Sequence, residues 1–105
     1  MYHARLTVQV KAGRFKEHLG IMEKMNDLVR SRGWTEATYW IPTVGVANQF
    51  IIETEYSDLA TFEREGAASF SDPEVMALVK EAVDCIVDGS IRSELIQNLA
   101  STDMA

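Results

Sequence analysis

Residues 50–56 read Phe-Ile-Ile-Glu-Thr-Glu-Tyr and run straight into Ser57-Asp58-Leu59. The β-branched and aromatic side chains suit a pleated strand, and the Ser-Asp pair offers an N-cap oxygen to a following helix. A strand's two-residue period places Glu53 and Glu55 on the same face as Ile51, so that face mixes charge with an apolar side chain. It is neither plain core nor plain solvent surface. A fold that holds this strand has to supply a different environment on each side of it.

The rest of the chain supplies the partners. Ala4, Leu6, Val8 and Val10 alternate with Arg5, Thr7 and Gln9, which predicts a first strand over 4–10, ended by Ala12-Gly13. From Arg14 to Arg32, Phe15, Leu19, Met22, Met25 and Val29 recur at helical spacing. Gly33 suits the left-handed position after that helix, Arg30 and Arg32 suit the negative end of its dipole, and Trp34 is expected to fold back on the last turn. A second strand is expected over 36–43, with Ala37, Tyr39 and Ile41 opposing Thr38 and Trp40, and with Pro42 confining its end to an edge or a bulge. Residues 44–48 allow a turn, and with 50–56 complete a hairpin.

Ser57 or Asp58 caps a helix carrying Leu59, Phe62 and Glu63. Gly66 weakens its middle, and Ser71-Asp72-Pro73-Glu74 restarts it. Two start signals overlap there, a capping box from Ser71 to Glu74 and an Asp72 cap followed by Pro73. Val75, Leu78, Val79, Ala82, Val83 and Ile86 continue the apolar stripe until Asp88-Gly89. Ile91 to Leu99 gives a fourth strand with Ile91, Ser93, Leu95, Gln97 and Leu99 on one face, and the tail from Ala100 onward is expected to fray. The order strand, helix, strand, strand, helix, strand is the split βαβ or ferredoxin-like arrangement. The fold class is therefore α+β: a four-stranded antiparallel sheet with two helical regions on one face, built as a single domain over residues 1–105.

Composition narrows the function. A formal charge of −6 argues against a phosphate-backbone partner, and the Lys11, Arg14 and Lys16 cluster is read as a solvated face because Glu17 and Glu23 follow it. No apolar run approaches the ~20 residues that cross a bilayer, and the first residues alternate like a strand instead of forming a signal peptide's apolar block. A cytoplasmic protein is expected. Cys85 is the one cysteine, so no intrachain disulfide, Cys-x-x-Cys pair or thiolate zinc site is available, and its place beside the apolar stripe suits a small buried hydrophobe. His3 and His18 lack a carboxylate at ligand spacing, and the chain carries no phosphate loop, so no metal or other cofactor is expected.

Two helices cover one face of such a sheet and leave the other open. With Leu6 and Val8 toward the helices, His3, Arg5, Thr7 and Gln9 fall on the open face, together with Trp40 or Tyr39 and Ile51 or Ile52. Aromatic and aliphatic residues in that number favour a sheet-to-sheet homodimer over a wet surface. At Val10-Lys11-Ala12-Gly13-Arg14-Phe15, Arg32-Gly33-Trp34, Phe50–Tyr56, Ser57-Asp58-Leu59 and Ser71-Asp72-Pro73-Glu74 the chain resembles the dimeric α/β-barrel superfamily, and within it the NIPSNAP-like and antibiotic-biosynthesis-monooxygenase-like proteins. The resemblance implies sheets paired into a shared barrel and pockets between sheet and helices. It also marks departures. Monooxygenase-like and haem-degrading members commonly place a histidine where Arg64 and Glu65 stand here, and His3 is only a weak match to the first-strand histidine of the stress-responsive branch.

Candidate chemistry rests on few side chains. His18 lies on the apolar stripe of the first helix, where it is either a backbone-bonded histidine at the core boundary or an acid–base group near neutral pH. Glu53 and Glu55 could raise one another's pKa, or could pair with a neighbouring Arg5 or Arg92. Arg5, Tyr39, Trp40 and Tyr56, with Glu53, are candidates to line a ligand cavity. Three functions follow: a homodimer that binds a small apolar or aromatic molecule; a cofactor-independent monooxygenase-like enzyme with His18 or Glu53 as base; or a structural assembly module without a pocket.

Overall fold

The computed structural model describes residues 1–99; the expectation of a frayed tail from Ala100 lies outside them. The elements run β1 (Tyr2–Gln9), α1 (Phe15–Ser31), β2 (Thr38–Trp40), β3 (Gln49–Tyr56), α2 (Leu59–Phe70), α3 (Pro73–Asp84) and β4 (Arg92–Gln97). The sheet order is β2-β3-β1-β4 and every neighbouring pair is antiparallel. This is the ferredoxin-like arrangement expected from the element order.

Register assigns the two faces. Val8 stands opposite Phe50, and Leu6 opposite Ile52, which in turn faces Tyr39. These residues pack toward the helices, where Val8, Val10, Ile21, Met22, Phe50, Ala82, Cys85 and Ile86 form the buried core. Phe50 is its centre, 1% exposed, with Phe15, His18 and Tyr39 at ring-centroid distances of 5.7, 4.7 and 5.5 Å. Arg5 opposes Glu53, Thr7 opposes Ile51, and Ile51 opposes Trp40, so the open face carries Trp40 and Ile51 while Tyr39 and Ile52 point to the helices.

The helix ends follow their local chemistry. Gly33, at φ +74°, takes the left-handed position after α1; its N–H donates to the Arg30 carbonyl, and the Trp34 N–H donates to Val29 at 3.1 Å. These two bonds satisfy carbonyls that a helix end otherwise leaves open. Asp58 is the cap of α2, accepting from the Thr61 N–H at 2.7 Å. Of the two restart signals, Asp72 wins. Its carboxylate accepts from the Glu74 and Val75 N–H groups, Pro73 fills the first helical position, and Ser71 instead closes α2. Arg32 donates to Asp72 at 2.9 Å and to Glu74 at 2.8 Å, tying the end of α1 to the start of α3. Those hydrogen bonds hold the Asp72 carboxyl below its usual range, Arg32 contributing most.

Some boundaries differ from the sequence reading. The second strand is three residues long, not eight, because the chain leaves the ladder before Pro42, which has no N–H to give. α2 runs through Gly66 to Phe70, so the break falls at the new cap and not at the glycine. α3 stops at Asp84, well before Asp88-Gly89, because Ile86 bridges Val10 and the Val87 N–H donates to Gln9. Lys11 and Arg14 both donate to the Asp84 carbonyl, placing two cations at the negative end of α3. β4 is shorter than 91–99, and every residue in it is exposed, its helix-side positions Ser93, Leu95 and Gln97 included.

Candidate functional site

Between the helix-facing side of the sheet and the three helices lies a cavity of about 330 Å³. Its floor is Leu6 and Val8 of β1, Tyr39 of β2 and Ile52, Thr54 and Tyr56 of β3, the residues that strand alternation turns inward. α1 contributes His18, Met22, Met25, Asn26 and Val29, α2 contributes Glu65, Gly66 and Ser69, and α3 contributes Val79, Ala82 and Val83. Most of the wall is apolar, with one carboxylate and no lysine or arginine among the described residues that line it. Small-molecule sites are commonly of this kind: about 300–1,000 Å³, mainly hydrophobic, with few polar groups.

His18 is the unusual member. It is 2% exposed, meets Phe50 edge to face, and its Nδ1 has no hydrogen-bond partner among the described residues. The backbone bond of a core-boundary histidine is therefore not made at this atom. Burial pushes its pKa below the ordinary 6.5, favouring the neutral ring. The sign of the linkage follows: below about pH 6.5 the unfolded chain takes up a proton that the buried ring resists, so stability falls as pH drops toward the folded-state value. Above that window the ring is neutral in both states and contributes no pH dependence. Urea midpoints measured from about pH 8 down to about pH 5 should thus decline less steeply in His18→Leu than in the parent; equal declines would count against the burial of this ring.

Several other polar groups of the wall are engaged. The Tyr39 hydroxyl donates to the Met22 carbonyl at 2.6 Å, and its pKa is pushed up to about 12, first by burial and then by Glu23, Asp27 and Glu36. Asn26 accepts from the Ala37 N–H at 3.0 Å and donates to the Ala37 carbonyl at 3.4 Å, pinning the start of β2 to α1. Glu65 accepts from the Thr35 N–H at 2.7 Å and the Thr35 hydroxyl at 3.1 Å. Tyr56 meets Phe62 edge to face at 5.5 Å, and burial raises its pKa, with Glu65 adding to the effect.

The six residues singled out from sequence divide by strand parity. His18, Tyr39 and Tyr56 converge on the cavity. Arg5, Glu53 and Trp40 lie across the sheet on its open face, where Glu53 accepts from Arg5 Nε at 2.8 Å and contacts His3 Nδ1 at 2.7 Å. His3 first and Arg5 second hold the Glu53 carboxyl below its usual range, the reverse of the shift a general base needs. Glu55 meets the far side of His3, at 3.7 Å, so the carboxylates are bridged by histidine. Arg92 reaches Glu94 of its own strand at 4.0 Å. Asn26, Thr35 and Glu65 were not among the candidates. Asn26 had a signal, a polar residue within the apolar stripe of α1; the pairing of Thr35 with Glu65 spans thirty positions and leaves no local trace.

Among the described residues no three His, Cys, Asp or Glu side chains gather as a metal site, and no helix is long and apolar enough to cross a membrane. Cys85 is fully buried, and desolvation raises its thiol pKa.

Comparison with known proteins agrees with this architecture. An uncharacterized NIPSNAP domain protein from Burkholderia xenovorans superposes with a TM-score of 0.80 at 18% identity, over 95% of this chain and 96% of that one. A NIPSNAP family protein of unknown function from Agrobacterium tumefaciens gives 0.77 at 17% identity, over 93% and 87%. A protein described as an antibiotic biosynthesis monooxygenase gives 0.73 at 12% identity, over 95% and 100%. At these identities the likeness establishes the fold alone. The sequence matches none of the curated proteins with which it was compared. The NIPSNAP family model matches residues 7–100, nearly the full length, and the chain therefore belongs to the NIPSNAP family.

Proposed function

We propose that residues 1–105 act as one domain that binds a small apolar or aromatic molecule between sheet and helices, as a cytoplasmic homodimer joined through the open face of the sheet. The observation that carries the binding reading is a mainly apolar cavity bordered by a buried histidine whose Nδ1 lacks a partner among the described residues. A core histidine that served packing alone would sit more favourably as an aliphatic residue. The dimer reading is supported by the exposed apolar residues Trp40 and Ile96 on that face, with Ile41, Val44 and Val46 in the adjoining hairpin. Ligand that binds only the native state raises its melting temperature in proportion to the logarithm of its concentration above Kd. A panel of neutral aromatic compounds should therefore include some that raise the Tm by several degrees at about a hundred times their Kd. A panel without any concentration-dependent rise would support the module without a pocket.

A second reading, a cofactor-independent oxygenase with His18 as base, is favoured by the neutral ring at the cavity wall. It requires conversion of the bound molecule and not occupancy alone. Glu53, held ionised on the opposite face, is the weaker of the two candidate bases.

A further inference from the structure

We propose that the cavity selects an uncharged ring compound carrying a hydroxyl, with that hydroxyl seated against His18. This deepens the binding reading above and rests on it. The polarity of the wall carries the selection. The Tyr39 hydroxyl, the Asn26 amide and the Glu65 carboxylate already have protein partners, the Thr54, Tyr56 and Ser69 hydroxyls also line the wall, and His18 Nδ1 is the buried side-chain polar atom left without a partner among the described residues. A neutral imidazole offers one donor and one acceptor. A hydroxyl can answer either, so it suits the ring whichever nitrogen holds the proton.

Charge narrows the class further. An anionic ligand would enter an apolar wall that supplies no lysine or arginine and already holds Glu65, and its lost hydration would go uncompensated. A cation would find a single carboxylate engaged with Thr35. Size fits this class: a buried void of about 150 Å³ accepts benzene, and about 330 Å³ has room for two or three fused rings. Desolvation of His18 favours the neutral ring and so agrees with a neutral partner.

Isothermal titration of the full chain with naphthalene, β-naphthol and β-naphthoate separates the outcomes. The naphthol should bind about ten-fold more tightly than naphthalene, the size of one net buried hydrogen bond, and the naphthoate about a hundred-fold more weakly than the naphthol. His18→Leu should bring naphthol and naphthalene to equal affinity while leaving naphthalene binding in place, and His18→Gln, which keeps a donor and an acceptor, should retain part of the preference. Naphthalene binding as tightly as naphthol in the parent protein, the naphthoate binding tightest, or a preference unchanged in His18→Leu would each overturn the hydroxyl assignment without touching the cavity reading. The parent ranking stands as a test even if the leucine variant does not fold. Failure of all three compounds to bind would instead remove the cavity reading itself, and this inference with it.

Discussion

Phe50→Ala should lower the unfolding free energy by about 3–5 kcal/mol, the range for truncating a buried aromatic ring. The position justifies the upper part of that range. Phe50 is 1% exposed and meets Phe15, His18 and Tyr39, rings brought by α1 and β2 to one point on β3. Removing it forfeits the burial of the ring and three aromatic contacts together, and the space left lies beside a cavity that already exists, which limits collapse around it. In urea the midpoint should move down with the slope unchanged. A loss below about 1 kcal/mol would show that the aromatic cluster is not the keystone of this core.

The second large effect concerns assembly. Ile51→Glu should weaken self-association by at least about a hundred-fold, turning the homodimer proposed above into a folded monomer of half the mass by light scattering. Ile51 sits on the open face between Thr7 and Trp40, away from the helix-facing core, so a carboxylate there can remain in water in the monomer. On that face Arg5 is already engaged by Glu53 and Arg92 lies by Glu94, so a further carboxylate brought into the seam has no cation of its own among the described residues. A parent chain that is monomeric at micromolar concentration, or a variant that stays dimeric, would place the interface elsewhere.

The elements were legible from sequence because each rests on local chemistry: alternation in β1, the 3.6-residue stripe in α1, Gly33 and Asp58 at helix ends. Choices that depend on pairing were not. Nothing local separates Tyr39 from Trp40, or Ile51 from Ile52; the ladder between β2 and β3 decides which of each turns inward. The same parity moved Arg5, Glu53 and Trp40 away from Tyr39, Tyr56 and His18. Arg5 and Arg92 were equal candidates for Glu53 until register placed Arg5 directly opposite it. Ser71 and Asp72 offered competing caps one residue apart, and the outcome depends on Arg32, forty positions earlier, which reinforces Asp72. Thr35 and Glu65 meet because the tertiary fold sets α2 beside the α1–β2 connection.

The three helices are not held alike. α3 is fixed at its start by Arg32 and at its end by Lys11 and Arg14, and it buries Val75 and Ala82. α2 buries none of its residues, and among the described residues its side-chain bond to the rest of the molecule is the clasp of Glu65 on Thr35. Moving α2 would break that clasp and the Tyr56–Phe62 contact but would uncover no fully buried residue of its own, so it costs less to displace than α1 or α3. Because α2 also forms one wall of the cavity, the clasp of Glu65 on Thr35 fixes the position of that wall, and its loss would let the space between sheet and helices widen.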